Sequence, residues 1–401
     1  MHFSATTLEQ LERELTITPT IEAAVAAAFR AAMAAGLAGE PSPLKMLPSH
    51  LGLPTGEERG LYLALDFGGT NVRAQLVELC GSGRWLIRRQ SAAPLKDPTG
   101  GYDYTAATAD GGQLFAFLAD RIAGLVDADR DYLLGHTFSF PSRQADVNHA
   151  TLISWTKEIK TAGVEGREVN GLLAAALARR GLARVRPVAV INDTVGTLLA
   201  AAYRQPHADI AAICGTGHNT CYYDAARGTI INMESGNFDA LPFSALDDRL
   251  DAASEKPGAQ RLEKMAAGRY LGELVRLALA ARGEPTGQPY SLSSADIAGW
   301  LADPAVPSPR RRLAALVADR SARLAAATFR GVLAHIDPAL ERRHAIAIDG
   351  SLYEKMPGYA AALAAGLGDA LGDKAPIVAP VLAKDGSGVG AAVAAALAAN
   401  R

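Results

Sequence analysis

The sequence predicts an α/β protein built from two related domains. Three observations carry that expectation. Apolar strand-like runs alternate with helical patterns along the chain. One device, a strand, a glycine turn and a second strand, occurs at 61–79 and again at 209–224. The chain has 401 residues, enough for two or three domains of ordinary size.

Taken in order, residues 6–36 read as two helices broken at Pro19, with Ile21, Val25, Phe29 and Met33 forming one buried stripe. The Pro- and Gly-rich stretch 39–60 is a connector. The runs 61–66 and 72–79 form a hairpin, because parallel strands need a crossover of a dozen or more residues. A helical face follows over 106–126, a strand over 132–141, an Ala-rich helix over 172–182 and a buried strand over 186–193. After the second strand–turn–strand, helices are expected at 259–281, 294–301 and 310–335. A strand at 344–353 closes on Asp349-Gly350-Ser351. The C-terminus reads as strand "PIVAPVLA", loop "KDGSGVG" and helix "AAVAAALAAN".

Composition excludes several classes. The chain is 49% hydrophobic and 20% charged, ordinary for a globular protein, and its net charge of -2 points to no nucleic-acid partner. The basic run from Pro309 has leucines and arginines at helical spacing and reads as an amphipathic helix with a solvated arginine face. Three cysteines, Cys80, Cys214 and Cys221, form no C-x-x-C pair and fit a reducing cytosol. The N-terminus lacks the charged and apolar regions of a signal peptide. No run is expected to span a membrane, since the stretch from Ile21 carries Glu22 and Arg30 and ends at Gly36.

Four loops end strands with glycine beside hydroxyl or carboxylate residues: 66–71, 215–217, 349–351 and 385–388. Glycine lets backbone N–H groups approach an anion, and Thr or Ser adds donors, so converging loops of this kind would cradle a polyphosphate. No G-x-x-x-x-G-K-[ST] is present. "GSGVGA" resembles a dinucleotide fingerprint, but the eleven residues after Gly390 are too few for a βαβ unit. Asp66 beside nucleotide phosphates makes sense as a holder of Mg²⁺, usually through water; alternatively it caps its own turn. A second set of polar groups sits on apolar segments: Ser139, Thr156, Lys157, Asn192, Asp193, Asn219, Glu234 and Glu263. Each has a plain structural alternative, such as a helix cap for Asn192-Asp193. Together, neutral donors and acceptors with a few carboxylates and no positive cluster suit a neutral polyol.

The motifs "LALDFGGTN", "LGHTFSFPSRQ", "SWTKEIKTAGVEG", "INDTVGTLLAAAY", "CGTGHNTCYY", "INMESGNF", "LEKMAAGRYLGELVRL", "IAIDGSLYEKMPGY" and "DGSGVGAA" resemble the hexokinase family, in the same order, from about Met46 to the C-terminal helix. The resemblance implies two actin-like (ribonuclease H-like) α/β domains flanking a cleft, a small one of 57–191 plus 384–401 and a large one of 1–56 plus 192–383. It implies ATP-dependent phosphorylation of a hexose, glucose foremost, at the 6-hydroxyl, the first step of glycolysis, with domain closure excluding water. Asp193 is implied as catalytic base, aided by Lys157. Ser139, Phe140, Thr156, Lys157, Asn192, Asn219, Glu234 and Glu263 match sugar-contacting positions. Asp66, Gly68, Gly69, Thr70, Asn71, Arg73, Gly215, Thr216, Gly217, Asp349, Gly350, Ser351, Ser387 and Gly388 match the nucleotide segments, with Asp66 at the Mg²⁺. Ser235, Glu158-Ile159, Ser142 and Val389 depart from the family's usual Trp, Gly-Phe, Cys and Lys. The alternative is a sugar sensor of the same fold that does no chemistry. The implied partner is a small hexose in the cytoplasm, with no membrane and with monomer or homodimer left open.

Overall fold

The computed structural model describes residues 6–156 and 159–400. The chain divides into two compact units. The first runs to Met46 and takes in Ala212–Thr220 and Met233–Leu382; the second takes in Leu47–Ala211, Cys221–Asn232 and the chain from Ala383.

The second unit holds a five-stranded sheet. Its strands lie in the order Arg84–Pro94, Asn71–Gly81, Arg59–Phe67, Tyr132–Phe138, Val185–Ile191. The first three are antiparallel, with Asp66 opposite Arg73, and the last two run parallel to Arg59–Phe67. The expected hairpin is present. Gly69 makes its turn possible at φ 145°, a conformation that side chains resist. The parallel step needs a crossover, and the helix Gly111–Ala123, capped by Asp110 and Gln113, supplies it. One sheet face packs Leu63, Leu65 and Leu134 against Leu114, Leu118 and Ile122. The alternate residue Gly135 faces the other way, where a methyl group would overlap the Ala391 carbonyl. That face receives the helix Gly386–Ala399, which meets the helix Asp193–Arg204 at Gly390 and Gly196. Gly390→Ala should therefore cost about 1–3 kcal/mol by overpacking, despite alanine's better helix propensity, and a lowered denaturant midpoint would show it.

A second sheet of six strands has the order Leu47–Pro48, Thr229–Asn232, His218–Asp224, Ala208–Cys214, His344–Asp349, Val378–Leu382. In the first unit, the helix Ser308–Ile336 packs closely on Pro19–Leu37, where Gly331 lets the Ala26 carbonyl approach. Glu22 on the shorter helix is buried and accepts from Arg323 at 2.8 Å.

Several expectations change. The strand Arg84–Pro94 is missing from the sequence reading, because its charged, exposed residues carry no clean alternation. The single helix expected over 259–281 is two, Arg261–Ala266 and Gly268–Ala281, split at an extended Ala267. The expected loop "KDGSGVG" is helical from Gly386, so its glycines form a first turn. The arginine face of the long helix is not wholly solvated, since Arg320 is 1% exposed. Residues 8–37 do prove long and apolar enough, by composition, to cross a membrane. The helix is interrupted at Thr16–Thr18, and Leu11, Leu15, Val25, Phe29 and Met33 are buried in the first unit.

Two buried histidines make stability pH-dependent. Burial pushes His136 and His218 down to about 4 from the usual 6.5. Each stays neutral when folded, and the unfolded chain takes up the proton first as pH falls. Stability is thus full above about pH 6.5 and declines toward pH 4, by about 1.4 kcal/mol per pH unit for each group. His218→Leu should flatten part of that decline in unfolding midpoints measured from pH 7.5 to 4.5.

Candidate active site

In the second unit, Asp66 lies one residue before the end of its strand, and its Oδ2 accepts from Ser387 Oγ at 2.7 Å. Gly68 lies beside it, with space for a methyl only 3.8 Å from Asp66 Oδ1. Thr137 Oγ1 donates to the Ser387 carbonyl at 2.8 Å, and Arg73 pairs with Asp385, the residue before the last helix. The structure thus brings Asp66, Gly68, Arg73, Ser387 and Gly388 together, through residues 321 positions apart in sequence. Thr70 and Asn71 are exposed at the turn, Asn71 Nδ2 donating to Thr70 Oγ1 at 3.2 Å. Sequence reasoning placed Asp385 in the last glycine loop but missed Thr137, whose signal was one alternating position.

Ser139 follows the strand Tyr132–Phe138 and is 7% exposed, yet among the described residues its Oγ has no hydrogen-bond partner. A buried hydroxyl of that kind suits a ligand that brings its own hydroxyl. Phe140 packs edge-on against Phe67 and Trp155, so its ring is part of the core beneath the site. Thr156 is half-buried in the loop that follows, and its carbonyl accepts from Ile159 N at 3.3 Å. Lys157 and Glu158 lie outside the described residues. Asn192 caps the helix Asp193–Arg204, its Oδ1 accepting from Thr194 N at 3.0 Å and Thr194 Oγ1 at 2.7 Å. The cap reading therefore holds for Asn192. Asp193 is the first helical residue, half-buried, with Oδ1 accepting from Thr194 N at 2.8 Å. A helix start fixes the backbone on which this carboxylate stands.

In the first unit, the turn 215–217 sits against the turn 349–351. A methyl on Gly215 would come within 3.2 Å of Gly350 Cα, and one on Gly350 would overlap the Cys214 carbonyl. Gly350 also has φ 126°, so only glycine serves there. Gly268 N donates to the Gly215 carbonyl at 2.7 Å and Arg269 N to that of Thr216 at 3.2 Å. Those bonds account for the break at Ala267, because the second helix starts where its N–H groups find the turn. The break leaves Glu263 on its own short helix, with Oε2 3.4 Å from His218 N and close to Gly217 and Gly236. Asn219 Oδ1 accepts from Thr220 N at 2.7 Å and from Ser235 N at 3.1 Å. Glu234 precedes Ser235 in a left-handed backbone at φ 52°, a costly conformation that concentrates at ligand sites. Gly217, Asn219, Glu234 and Glu263 are thus assembled within this unit, with Asp349, Gly350 and Ser351 behind Gly215. Ser235, the departure from tryptophan, is buried and bonds Thr220 Oγ1 at 3.2 Å. Val389 is buried too, at 1% exposure.

Among the described residues no group of three or more His, Cys, Asp or Glu could hold a metal alone. One carboxylate, Asp66, beside a hydroxyl and glycine turns fits Mg²⁺, which keeps waters and takes other ligands from phosphates.

Two hexokinase family models match the chain, one over residues 7–203 and the other over 209–287 and 309–397. The chain belongs to the hexokinase family. It is 36% identical over 394 residues to Hexokinase-7 of Oryza sativa subsp. japonica, covering 82% of this chain and 83% of that one. With Homo sapiens Hexokinase-3 it shares 40% identity over 274 residues, 63% of this chain but only 29% of that much longer one. The solved structure of a Schistosoma mansoni hexokinase complexed with glucose is 30% identical, with TM-score 0.83 over 97% of this chain and 98% of that one. The α/β fold is accordingly the actin-like, ribonuclease H-like fold of hexokinases.

Proposed function

We propose that this hexokinase-family chain transfers the γ-phosphoryl group of ATP to the 6-hydroxyl of a hexose, with glucose the first candidate. The observation that carries the reading is family-wide sequence across the chain that includes Asp193 at the first turn of its helix. Asp193 takes the proton of the 6-hydroxyl, and that oxygen attacks the γ-phosphorus in line as ADP leaves. Ser139, Phe140, Thr156, Lys157, Asn192, Asn219, Glu234 and Glu263 hold the sugar. The Ser139 hydroxyl, without a hydrogen-bond partner among the described residues, supports that assignment. Gly215, Thr216, Gly217, Asp349, Gly350, Ser351, Ser387 and Gly388 take the nucleotide, with Gly69, Thr70 and Asn71 at the first turn. Mg²⁺, when bound near Asp66, supplies charge neutralisation at the phosphates. The functional domains are 57–191 with 384–401 and 1–56 with 192–383. Cys80, Cys214 and Cys221 are all free, which supports a cytoplasmic setting.

An assay of ADP release with ATP, Mg²⁺ and a panel of glucose, mannose, fructose, glucosamine and N-acetylglucosamine tests the reading. Sugar-dependent release is expected, strongest with the preferred hexose. Release that no sugar in the panel raises above the sugar-free rate rejects it.

A further inference from the structure

The second unit buries one polar atom beside the phosphoryl-donor residues that the proposed reaction does not use. Gln75 is 1% exposed in the middle of the strand Asn71–Gly81, and among the described residues its Oε1 has no hydrogen-bond partner. Successive side chains of a strand leave on opposite faces, so Arg73 and Gln75 leave on the same one. Arg73 reaches Asp385, just before the helix Gly386–Ala399. Gln75 reaches the first turn of that helix, where its Oε1 fills the space a methyl group on Gly388 would need. The same turn is held by Asp66 and Thr137 through Ser387. Four side chains thus grip one helix start, and three of them are engaged in hydrogen bonds.

A buried acceptor without a partner is costly, and it persists where another state of the protein supplies the partner. The donors at hand are the first-turn N–H groups of the helix, which have no partner inside it. Those N–H groups belong to the turn that carries Ser387 and Gly388. We propose that Gln75 is a positioning residue for the phosphoryl donor. Its Oε1 accepts from a first-turn N–H when the donor's phosphates draw the turn into place, so that this bond and donor binding stabilise each other. The inference rests on the hexose-kinase reading for the identity of the donor.

Gln75→Leu keeps the length and removes the acceptor; Gln75→Met is the second variant. Binding of the non-hydrolysable ATP analogue AMP-PNP with Mg²⁺ is measured by calorimetry, and glucose binding serves as the folding control. Each variant should weaken analogue binding roughly three- to tenfold, the worth of one ordinary hydrogen bond. Glucose affinity and kcat should hold while KM for ATP rises by the same factor. The unfolding temperature without ligand should stay level or rise, because an unpartnered group has gone. A merely structural glutamine would move the unfolding temperature and leave the split between KM and kcat untouched. Unchanged analogue affinity in a variant that binds glucose normally overturns the proposal. Wild-type protein that binds the analogue but phosphorylates no hexose sinks the reaction instead, and leaves the Gln75 comparison readable.

Discussion

Asp193→Ala is expected to lower turnover by about 10²–10⁴-fold, the worth of a positioned general base, while glucose binding stays measurable. The reasoning begins with the chain. "VIND" ends a strand at Ile191 and starts a helix at Asp193, so the carboxylate stands on a backbone fixed by both elements. Asn192 makes the cap, with Oδ1 bonds to Thr194 at 3.0 and 2.7 Å, and that cap does not depend on the neighbouring side chain. Removing the Asp193 carboxylate should therefore leave the helix start standing and remove only the proton acceptor. Asp193→Asn keeps the shape without the basicity and should be about as slow. Steady-state kinetics with glucose calorimetry separates the two effects. Turnover near that of the wild type in either variant would assign the proton to another group.

Arg320→Ala should give the largest loss of stability, about 3–5 kcal/mol, the cost of stranding a buried charge. Arg320 is 1% exposed and Asp247 is 4% exposed. They meet through paired bonds, Nη1 to Oδ1 at 3.0 Å and Nη2 to Oδ2 at 2.6 Å. Asp247 Oδ2 also accepts from Ser244 N and Oγ, each at 2.7 Å, so the carboxylate is pinned in place and cannot swing to water. The next residue, Ser321, bonds the Ala266 carbonyl at 2.7 Å, at the end of the helix that bears Glu263. A disturbed Arg320 should accordingly also raise KM for the hexose. Arg320→Met with Asp247→Asn removes both charges and keeps an acceptor for Ser244, and it should recover much of the loss. Urea unfolding of the single and double variants measures this. A double variant as unstable as Arg320→Ala would show that the loss comes from packing alone.

Much of the fold could be read in advance because its signals are local. The hairpin at 61–79 needs only two apolar runs and a glycine turn. The strand closing on Asp349 and the long helix behind Pro309 carry clear periodicity. What escaped has a tertiary cause. Arg84–Pro94 is a strand because it pairs with Asn71–Gly81, although its own residues are charged and exposed. The break at Ala267 exists because Gly268 and Arg269 donate to the 215–217 turn. The glycines from Gly386 are helical because Gly196, Thr197 and Gln75 press against them, which no neighbour in sequence indicates.

The candidate site divides the same way. Residue order and spacing alone named the glycine turns and the stranded polar groups, since backbone freedom and chemical type are properties of single residues. Only the folded chain decided that Ser387 bonds Asp66, that Arg73 holds Asp385, that Ser139 keeps a buried hydroxyl without a partner among the described residues, and that Gln75 does the same with an amide oxygen. Hydrogen bonding acts over about 3 Å in space and is indifferent to separation along the chain, so those pairings are written in the packing of strands and helices.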